Sequence, residues 1–300
     1  MKVLISGGSG LVGGALTGAL RADGHTVRHL VRPGGKAAPG DVQWNPLSAL
    51  VDVPAMEGFD AVVNLNGASI ADGRWTPKRK MILRGSRVDS TRVLVDALSH
   101  LRQPPRVFVC ASATGYYGNR GDEVLKETSG YGNDFLAILC RAWEGEAARA
   151  ASSGIRTVIA RFGIVLSAEG GALSRMLTPF RLGAGGRLGS GKQWMSWIAL
   201  EDAVKVLRAA IDDARWNGAV NLVSPEPVRN SDFTRVLASV LHRPAICRAP
   251  AFALRLALGE MADALLLSSQ RVLPECLDQY GYAFRYENLE AALHAVLVKP

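Results

Sequence analysis

The stretch that decides the fold is residues 2–32, KVLISGGSGLVGGALTGALRADGHTVRHLVR. It opens with the apolar run Lys2–Ser6, which predicts a strand, and continues into the glycine-rich turn Gly7–Gly13. Apolar residues then follow helical spacing, and a second apolar run, Thr26–Val31, ends at Arg32. A strand, a glycine turn, a helix and a strand within about thirty residues predict a dinucleotide-binding unit.

The spacing of the glycines gives the turn a specific chemistry. Gly8, Gly10 and Gly13 satisfy G-x-G-x-x-G, and Gly7, Gly10 and Gly13 satisfy the looser G-x-x-G-x-x-G. Gly10 would let the backbone approach a pyrophosphate, and Gly13 would let the helix pack closely on its strand. The helix N-terminus would then offer N–H groups to the phosphates. We predict that the cofactor contacts Gly7, Gly8, Ser9, Gly10, Leu11, Val12 and Gly13; a turn without a ligand is the alternative.

The end of the second strand indicates which dinucleotide binds. An NAD site usually has Asp or Glu there, which accepts hydrogen bonds from the ribose hydroxyls. This chain has Arg28, His29 and Arg32 and no acid. Because a guanidinium can hold a 2′-phosphate with two hydrogen bonds, Arg32 favours NADP(H). The alternative is a solvated surface arginine.

Composition limits the classes of protein that remain. No run of eighteen apolar residues lacks a charge, so we expect no membrane contact. The chain enters its first strand at once, without a signal or transit segment, so we expect a cytoplasmic protein. The four cysteines and five histidines lack metal-binding spacing, so we expect reduced thiols and no metal site. The formal net charge of +8 forms no compact basic patch, so we expect a small-molecule substrate and no nucleic acid.

Strand-like and helical runs alternate along the rest of the chain. Further strands are predicted at 60–65, 106–112, 156–161 and 219–223, and helices at 76–98, 135–151, 172–182, 200–214, 230–241 and 250–267, with a final helix inside 280–297. This alternation predicts an α/β fold, a Rossmann-like doubly wound parallel sheet with a smaller, mostly helical C-terminal substrate lobe. We expect the NADP-binding domain to span 1–165, with 196–225 returning to it. Residues 166–195 and 226–300 would form the lobe.

Several strings together resemble the extended short-chain dehydrogenase/reductase superfamily, and within it an atypical NAD(P)-dependent epimerase/dehydratase-like family related to nucleoside-diphosphate-sugar epimerases. The strings are the glycine turn, Asn64–Ala68, Asp72–Trp75, Gly85–Val88, Gly115–Gly118, Arg161–Gly163, Gly189–Trp194, Ser196–Ile198, Leu258–Ala262 and Ser269–Pro274. The resemblance covers nearly the whole chain, including a C-terminal segment typical of that family. It implies that Leu65, Asn66, Gly67 and Arg87 lie near an NADP(H) cofactor, with Ser112, Tyr116 and Tyr117 near its nicotinamide. The strand-end position of Asn66 and Ser112 agrees, because ligands of open α/β sheets bind beyond the carboxyl ends of the strands.

The expected catalytic pair is missing from this chain. The superfamily resemblance implies a Tyr-x-x-x-Lys on the helix after Ser112, but residues 134–144 read DFLAILCRAWE, with neither residue type. Tyr116 or Tyr117 could replace the proton donor, with Arg87 or Arg141 as the nearby cation. Acid–base work by Cys140 or Asp134 is another possibility.

Two functions therefore stay open. The first is an NADP(H)-dependent oxidoreductase or epimerase-like enzyme, with Ser112, Tyr116 and Tyr117 as catalytic candidates, acting on a small polar substrate such as a nucleotide sugar. The second is a catalytically silent NADP(H)-binding protein that regulates a partner or senses redox state. Relatives of this superfamily often dimerise, which makes a homodimer one option.

Overall fold

A computed structural model describes residues 1–298, which form sixteen strands and ten α-helices. The strands are β1 (Lys2–Ser6), β2 (Thr26–Val31), β3 (Val42–Asn45), β4 (Leu50–Val51), β5 (Ala61–Asn64), β6 (Val107–Ala113), β7 (Val124–Leu125), β8 (Arg156–Phe162), β9 (Ile164–Leu166), β10 (Gly186–Leu188), β11 (Trp194–Met195), β12 (Trp197–Ala199), β13 (Gly218–Leu222), β14 (Val228–Arg229), β15 (Cys247–Ala249) and β16 (Arg271–Val272). The helices are α1 (Leu11–Ala22), α2 (Pro77–Arg84), α3 (Ser90–Ser99), α4 (Phe135–Ala148), α5 (Gly171–Arg181), α6 (Leu200–Asp212), α7 (Asn230–Val240), α8 (Ala251–Leu258), α9 (Glu275–Gln279) and α10 (Leu289–Leu297).

Eight strands form the main sheet in the order β13-β8-β6-β5-β1-β2-β3-β4. All neighbours are parallel except β3 and β4, which pair antiparallel at the edge. From β1 the chain builds outward through β2 and β3, and it then returns to add β5 on the other side of β1. The strand order reverses between β1 and β5, so a ligand crevice is expected there.

Helices cover both faces of the sheet because its central strands are apolar on both faces. Leu4 of β1 packs in one core with α3 and α4, whereas Val3 and Ile5 pack in the opposite core with α1 and α6. This alternation is the period-two pattern of a strand that is buried on both sides. The central strands are therefore buried on both faces, and the loops that follow them lie at the carboxyl edge of the sheet.

A third core lies under the second half of the chain. It contains Leu173 and Leu177 of α5, Phe233 and Leu237 of α7, and Leu293 of α10. Only two-stranded pairs accompany these helices, namely β10 with β15, β11 with β14, and β12 with β9. This part of the chain is therefore the smaller, mostly helical lobe expected from the sequence.

The predicted strands agree with the structure to within one residue at each end. The predicted helix 76–98 is present, but a π-helical turn, Gly85–Asp89, separates α2 from α3. The predicted helix 250–267 is interrupted at Gly259, which has a φ of 63°. The edge strands β3 and β4 had no predicted counterpart. The expected domain boundaries stay a prediction, although β13 does join the main sheet beside β8.

Two of the four cysteines, Cys110 and Cys140, are buried, and Cys247 is exposed. None of the helices within residues 1–298 combines the length and apolar character that crossing a membrane requires.

Candidate functional site: a crevice at the sheet edge and a buried hydroxyl–carboxylate network

The glycine turn lies at the point where the strand order reverses. Ser6 ends β1 opposite Asn64, the last residue of β5, so the turn and the segment 65–67 leave the sheet side by side. Gly7 has a φ of 75°, and a Cβ on it would lie 2.6 Å from the carbonyl oxygen of Leu65. The turn therefore requires glycine at this position for both conformation and space.

Close backbone packing explains the last glycine of the motif. A Cβ on Gly13 would lie 2.9 Å from the carbonyl carbon of Gly7 and 2.9 Å from the Cα of Gly8. Helix α1 begins directly after Gly10, has no acidic residue in its first turn, and has no side-chain cap. Its N-terminal N–H groups and the positive end of its dipole are consequently available to an anion.

A hydrogen-bonded polar layer supports the crevice from below. The Ser6 hydroxyl donates to Asn64 Oδ1 at 2.5 Å, and the Asn64 amide donates to Thr91 Oγ1 at 2.8 Å. The Asn66 amide donates to the Ser90 hydroxyl at 2.7 Å and to the Ser86 carbonyl oxygen at 3.0 Å. These bonds fix the path of residues 64–66 against the helical segment that carries Arg87.

The end of β2 presents a free arginine. Arg32 is exposed, and its guanidinium makes no hydrogen bond or ion pair with another residue of the described chain. The nearby carboxylate, that of Asp41, accepts from the backbone N–H of His29 and of Ala38, both at 2.8 Å, so its two oxygens are already engaged. The His29 ring lies against Gly8, where a Cβ would be 2.7 Å from Nε2. Burial lowers the pKa of His29 more strongly than Asp41 raises it.

The π-helical turn brings a second arginine to the crevice. Arg87 donates to the carbonyl oxygen of Ala68 at 3.0 Å, and its guanidinium lies 5.5 Å from the ring centre of Trp143. Its guanidinium carbon would be 3.1 Å from a Cβ on Gly67. Burial lowers the pKa of Arg87, and no carboxylate within residues 1–298 forms an ion pair with it. A half-buried cation without a counter-ion is well suited to an anionic ligand.

A buried charged network lies behind the end of β6. The Ser112 hydroxyl donates to Glu144 Oε1 at 2.6 Å. Arg161 binds the same carboxylate with both ends of its guanidinium, Nε to Oε1 at 2.9 Å and Nη2 to Oε2 at 2.8 Å. Both side chains of this pair are at least 90% buried. Burial is the largest single influence on the pKa of Arg161 and lowers it, but the hydrogen bonds and charge interactions with Glu144 and Tyr117 together outweigh burial and raise that pKa.

The two candidate tyrosines differ in their surroundings. Tyr117 is fully buried; its hydroxyl donates to Asn221 Oδ1 at 2.7 Å and accepts from Arg161 at 2.9 Å. Burial raises the pKa of Tyr117 to about 12, although the Arg161 cation acts in the opposite direction. The Tyr116 ring faces the same guanidinium, with 3.6 Å from the guanidinium carbon to the ring centre. The Tyr116 hydroxyl makes no hydrogen bond to any described residue.

The cation beside the tyrosines is not one of those expected from the sequence. Arg87 lies over Trp143, and Arg141 lies over Tyr131 at 4.2 Å, whereas Arg161 contacts both Tyr116 and Tyr117. The expectation of Arg87 or Arg141 in that role is therefore wrong.

Three network residues, Glu144, Arg161 and Asn221, were not among the predicted site residues. Each is a polar residue inside an apolar run, Glu144 within α4 and the other two within β8 and β13. Isolated charges of opposite sign in two buried elements are a signal that such residues pair, because an unpaired buried charge is costly.

The alternative acid–base candidate Cys140 is buried, and burial raises its pKa to about 12. Asp134 caps α4 by accepting from the Ala137 N–H.

A glycine turn at the switch point of a doubly wound sheet, followed by a helical lobe, defines the Rossmann-like fold of the short-chain dehydrogenase/reductase type. The sequence pattern of the NAD dependent epimerase/dehydratase family matches residues 3–222, and this protein belongs to that family. A domain of unknown function, DUF1731, matches residues 249–296, which confirms the family-specific C-terminal segment.

Known proteins resemble the chain over its full length. An epimerase family protein of Mycobacterium bovis is 44% identical over 298 residues, covering 99% of this chain and 98% of the relative. The crystal structure of human epimerase family protein SDR39U1 (isoform 2) with NADPH has a TM-score of 0.92 and 34% identity, and covers 100% of both chains. A nucleoside-diphosphate sugar epimerase from Corynebacterium glutamicum has a TM-score of 0.81 and 36% identity, covering 99% of this chain and 58% of that one.

Proposed function

We propose that the protein binds NADP(H) in preference to NAD(H). The observation that carries the preference is the free Arg32 at the end of β2, combined with an Asp41 carboxylate whose oxygens are both engaged by backbone N–H groups. A 2′-phosphate would find a guanidinium there, whereas the ribose hydroxyls of NAD would find no free carboxylate. The similar human protein crystallised with NADPH supports the same choice.

The residues of the crevice fit such a cofactor. The N–H groups at the start of α1 and the turn Gly7–Gly13 would hold the pyrophosphate. Leu65, Asn66 and Gly67 would pass beneath the cofactor, and Arg87 would supply positive charge to its anionic part. Ser112 would lie close to the nicotinamide, because it stands near the end of β6 at the carboxyl edge of the sheet.

We further propose that the protein is an oxidoreductase or epimerase-like enzyme acting on a small polar substrate, for which a nucleotide sugar is one candidate. Bound NADP(H) supplies the hydride acceptor or donor. Tyr116 is the residue best placed to exchange the accompanying proton, because its hydroxyl makes no hydrogen bond within residues 1–298. Arg161 lies over its ring and would stabilise negative charge that develops on the phenol oxygen. Ser112 would orient the reacting groups, and the fully buried Tyr117 would hold Arg161 in place against Tyr116.

One observation favours the alternative of a catalytically silent NADP(H)-binding protein. The Ser112 hydroxyl donates to Glu144 and the Tyr117 hydroxyl donates to Asn221, so neither proton is directed toward a substrate. A protein with this arrangement could bind the cofactor tightly and report its redox state to a partner.

A substrate screen that follows NADPH absorbance for net oxidation or reduction, and NMR of the product for epimerisation, which regenerates the cofactor, separates the two functions. Turnover of any polar carbonyl compound or nucleotide sugar supports the enzyme, and Tyr116→Phe should then lower kcat by about 10²-fold or more with NADPH affinity unchanged. Tyr280→Phe is the matched control, because the Tyr280 ring stacks on Trp216 in a different core, and kcat should not change. If Tyr116→Phe leaves kcat intact, the proton donor is another group. Tight NADPH binding without turnover across the screen would support the silent protein.

A further inference from the structure

A second concentration of positive charge lies in the C-terminal lobe. A cavity of about 550 Å³ is bounded by α7 and by the paired strands β10 and β15. Arg187, Arg235 and Arg248 line it together with the hydroxyls of Ser231 and Thr234, and none of its lining residues is acidic. No residue of the cofactor crevice takes part in this lining, so the cavity is a separate feature of the protein.

The strand pairing forces two of these arginines together. Arg187 of β10 is the direct partner of Arg248 of β15 in the register of a two-stranded parallel sheet. Like charges directly opposite each other across two strands destabilise the pairing. Neither arginine forms an ion pair or a side-chain hydrogen bond with another described residue, so nothing within residues 1–298 offsets the repulsion.

The Arg187 side chain is held in place, and its donors are unused. Its Cδ would lie 3.3 Å from a Cβ on Gly191, and the Cβ of Ser231 is equally near that position. Its Nε is buried without a hydrogen-bond partner. An unpaired buried donor is unfavourable, and a ligand acceptor that reached it would supply the missing hydrogen bond. The third arginine, Arg235, has only an exposed ion pair with Asp232 at 3.4 Å.

We propose that this cavity is a binding site for a phosphorylated small molecule. Guanidinium groups bind phosphate oxygens with two parallel hydrogen bonds, and the Ser231 and Thr234 hydroxyls add neutral donors at the cavity wall. Three cations facing an anion of two or more negative charges would also remove the repulsion between Arg187 and Arg248. The site is independent of the cofactor crevice and does not rest on its proposed function.

Cys247 gives a direct reporter, since it lines the cavity and is the exposed cysteine. The test is the rate of Cys247 alkylation by iodoacetamide, read by mass spectrometry, at increasing inorganic pyrophosphate and constant ionic strength. We expect saturable protection that persists when NADPH is added to saturation. Arg187→Gln and Arg248→Gln should each raise the half-protecting concentration by about tenfold or more, since each removes charged hydrogen bonds.

Arg102→Gln is the matched control, because the Arg102 side chain is exposed. Its backbone N–H donates to the Glu57 carboxylate, which is far from the cavity in the fold. It should shift the half-protecting concentration by less than about twofold, as expected for a distant surface charge. Alkylation that is independent of pyrophosphate would overturn the proposal. Protection that is equal in the wild type and in both cavity variants, or that NADPH abolishes, would overturn it as well, because the anion would then bind elsewhere. Circular dichroism of each variant establishes that it is folded.

Discussion

Replacing Gly13 by alanine tests the packing on which the glycine turn depends. The new Cβ would clash most severely with the carbonyl oxygen of Gly7, and it would lie 2.9 Å from both the carbonyl carbon of Gly7 and the Cα of Gly8. Carbon atoms in contact prefer about 3.5–4.0 Å, so α1 and the turn must separate by about half an ångström or more. Backbone cannot move aside as a side-chain tip does. We expect a loss of about 1–3 kcal/mol in the free energy of unfolding, typical of an overpacked site.

The same shift should reduce cofactor affinity, because the N–H groups at the start of α1 would no longer point at the pyrophosphate. Losing one charge-assisted hydrogen bond costs about 1.5–3 kcal/mol, so the Kd for NADPH should rise by about 10- to 100-fold. Urea denaturation and NADPH fluorescence titration measure the two effects. Gly18→Ala in the same helix is the control: its Cβ meets no atom within 4 Å, and it should stabilise the protein by about 0.5–1 kcal/mol. If Gly13→Ala behaves like Gly18→Ala in both assays, the close packing of turn and helix is refuted.

Three further predictions concern the network and the crevice. Glu144→Gln should lower the free energy of unfolding by about 3–5 kcal/mol in urea, because its buried arginine partner loses its counter-ion. Glu146→Gln in the same helix, which removes an ion pair with the half-exposed Arg149, should cost under about 1 kcal/mol. Gly67→Ala should displace the Arg87 guanidinium and raise the Kd for NADPH by about tenfold in a fluorescence titration, with little change in Tm. Between pH 10 and 12 the unfolded state should lose the Tyr117 proton first, because burial raises the folded pKa to about 12. The stability of the wild type relative to Tyr117→Phe should therefore fall as pH rises through that range, by up to about 1.4 kcal/mol per pH unit, and a pH-independent difference would contradict this.

The fold could be predicted from the sequence because local patterns and tertiary packing agree in the central sheet. The apolar strands, the glycine turn and the alternating helices each predict the same architecture, and the strand bounds follow to within one residue. The edge strands β3 and β4 were not predictable in the same way. They are short, and they pair with only one or two neighbours, so they carry little of the apolar pattern.

The position of the glycine-lined crevice was also accessible from the sequence, since its residues are adjacent in the chain or follow strand ends; the cofactor contacts themselves stay a prediction. The buried network around Arg161 was less accessible because its parts come from distant positions. Glu144 on α4 bonds Arg161 on β8, and Tyr117 bonds Asn221 on β13. These partners are far apart in sequence, and only the order of the strands in the sheet brings them together. The π-helical turn that places Arg87 beside the crevice could not be predicted either, because the periodicity of apolar residues does not distinguish a π-helical turn from an α-helix.

Calorimetry of the wild type and of Arg32→Ala with NADPH and with NADH is the most direct measurement of the central claim. The wild type should bind NADPH more tightly than NADH, because only NADPH carries a 2′-phosphate for the free guanidinium of Arg32. Arg32→Ala should weaken NADPH binding by about 10- to 100-fold, the loss expected for charged hydrogen bonds, and should leave NADH binding unchanged. A wild-type protein that binds NADH as tightly as NADPH, or that binds neither, would contradict the account.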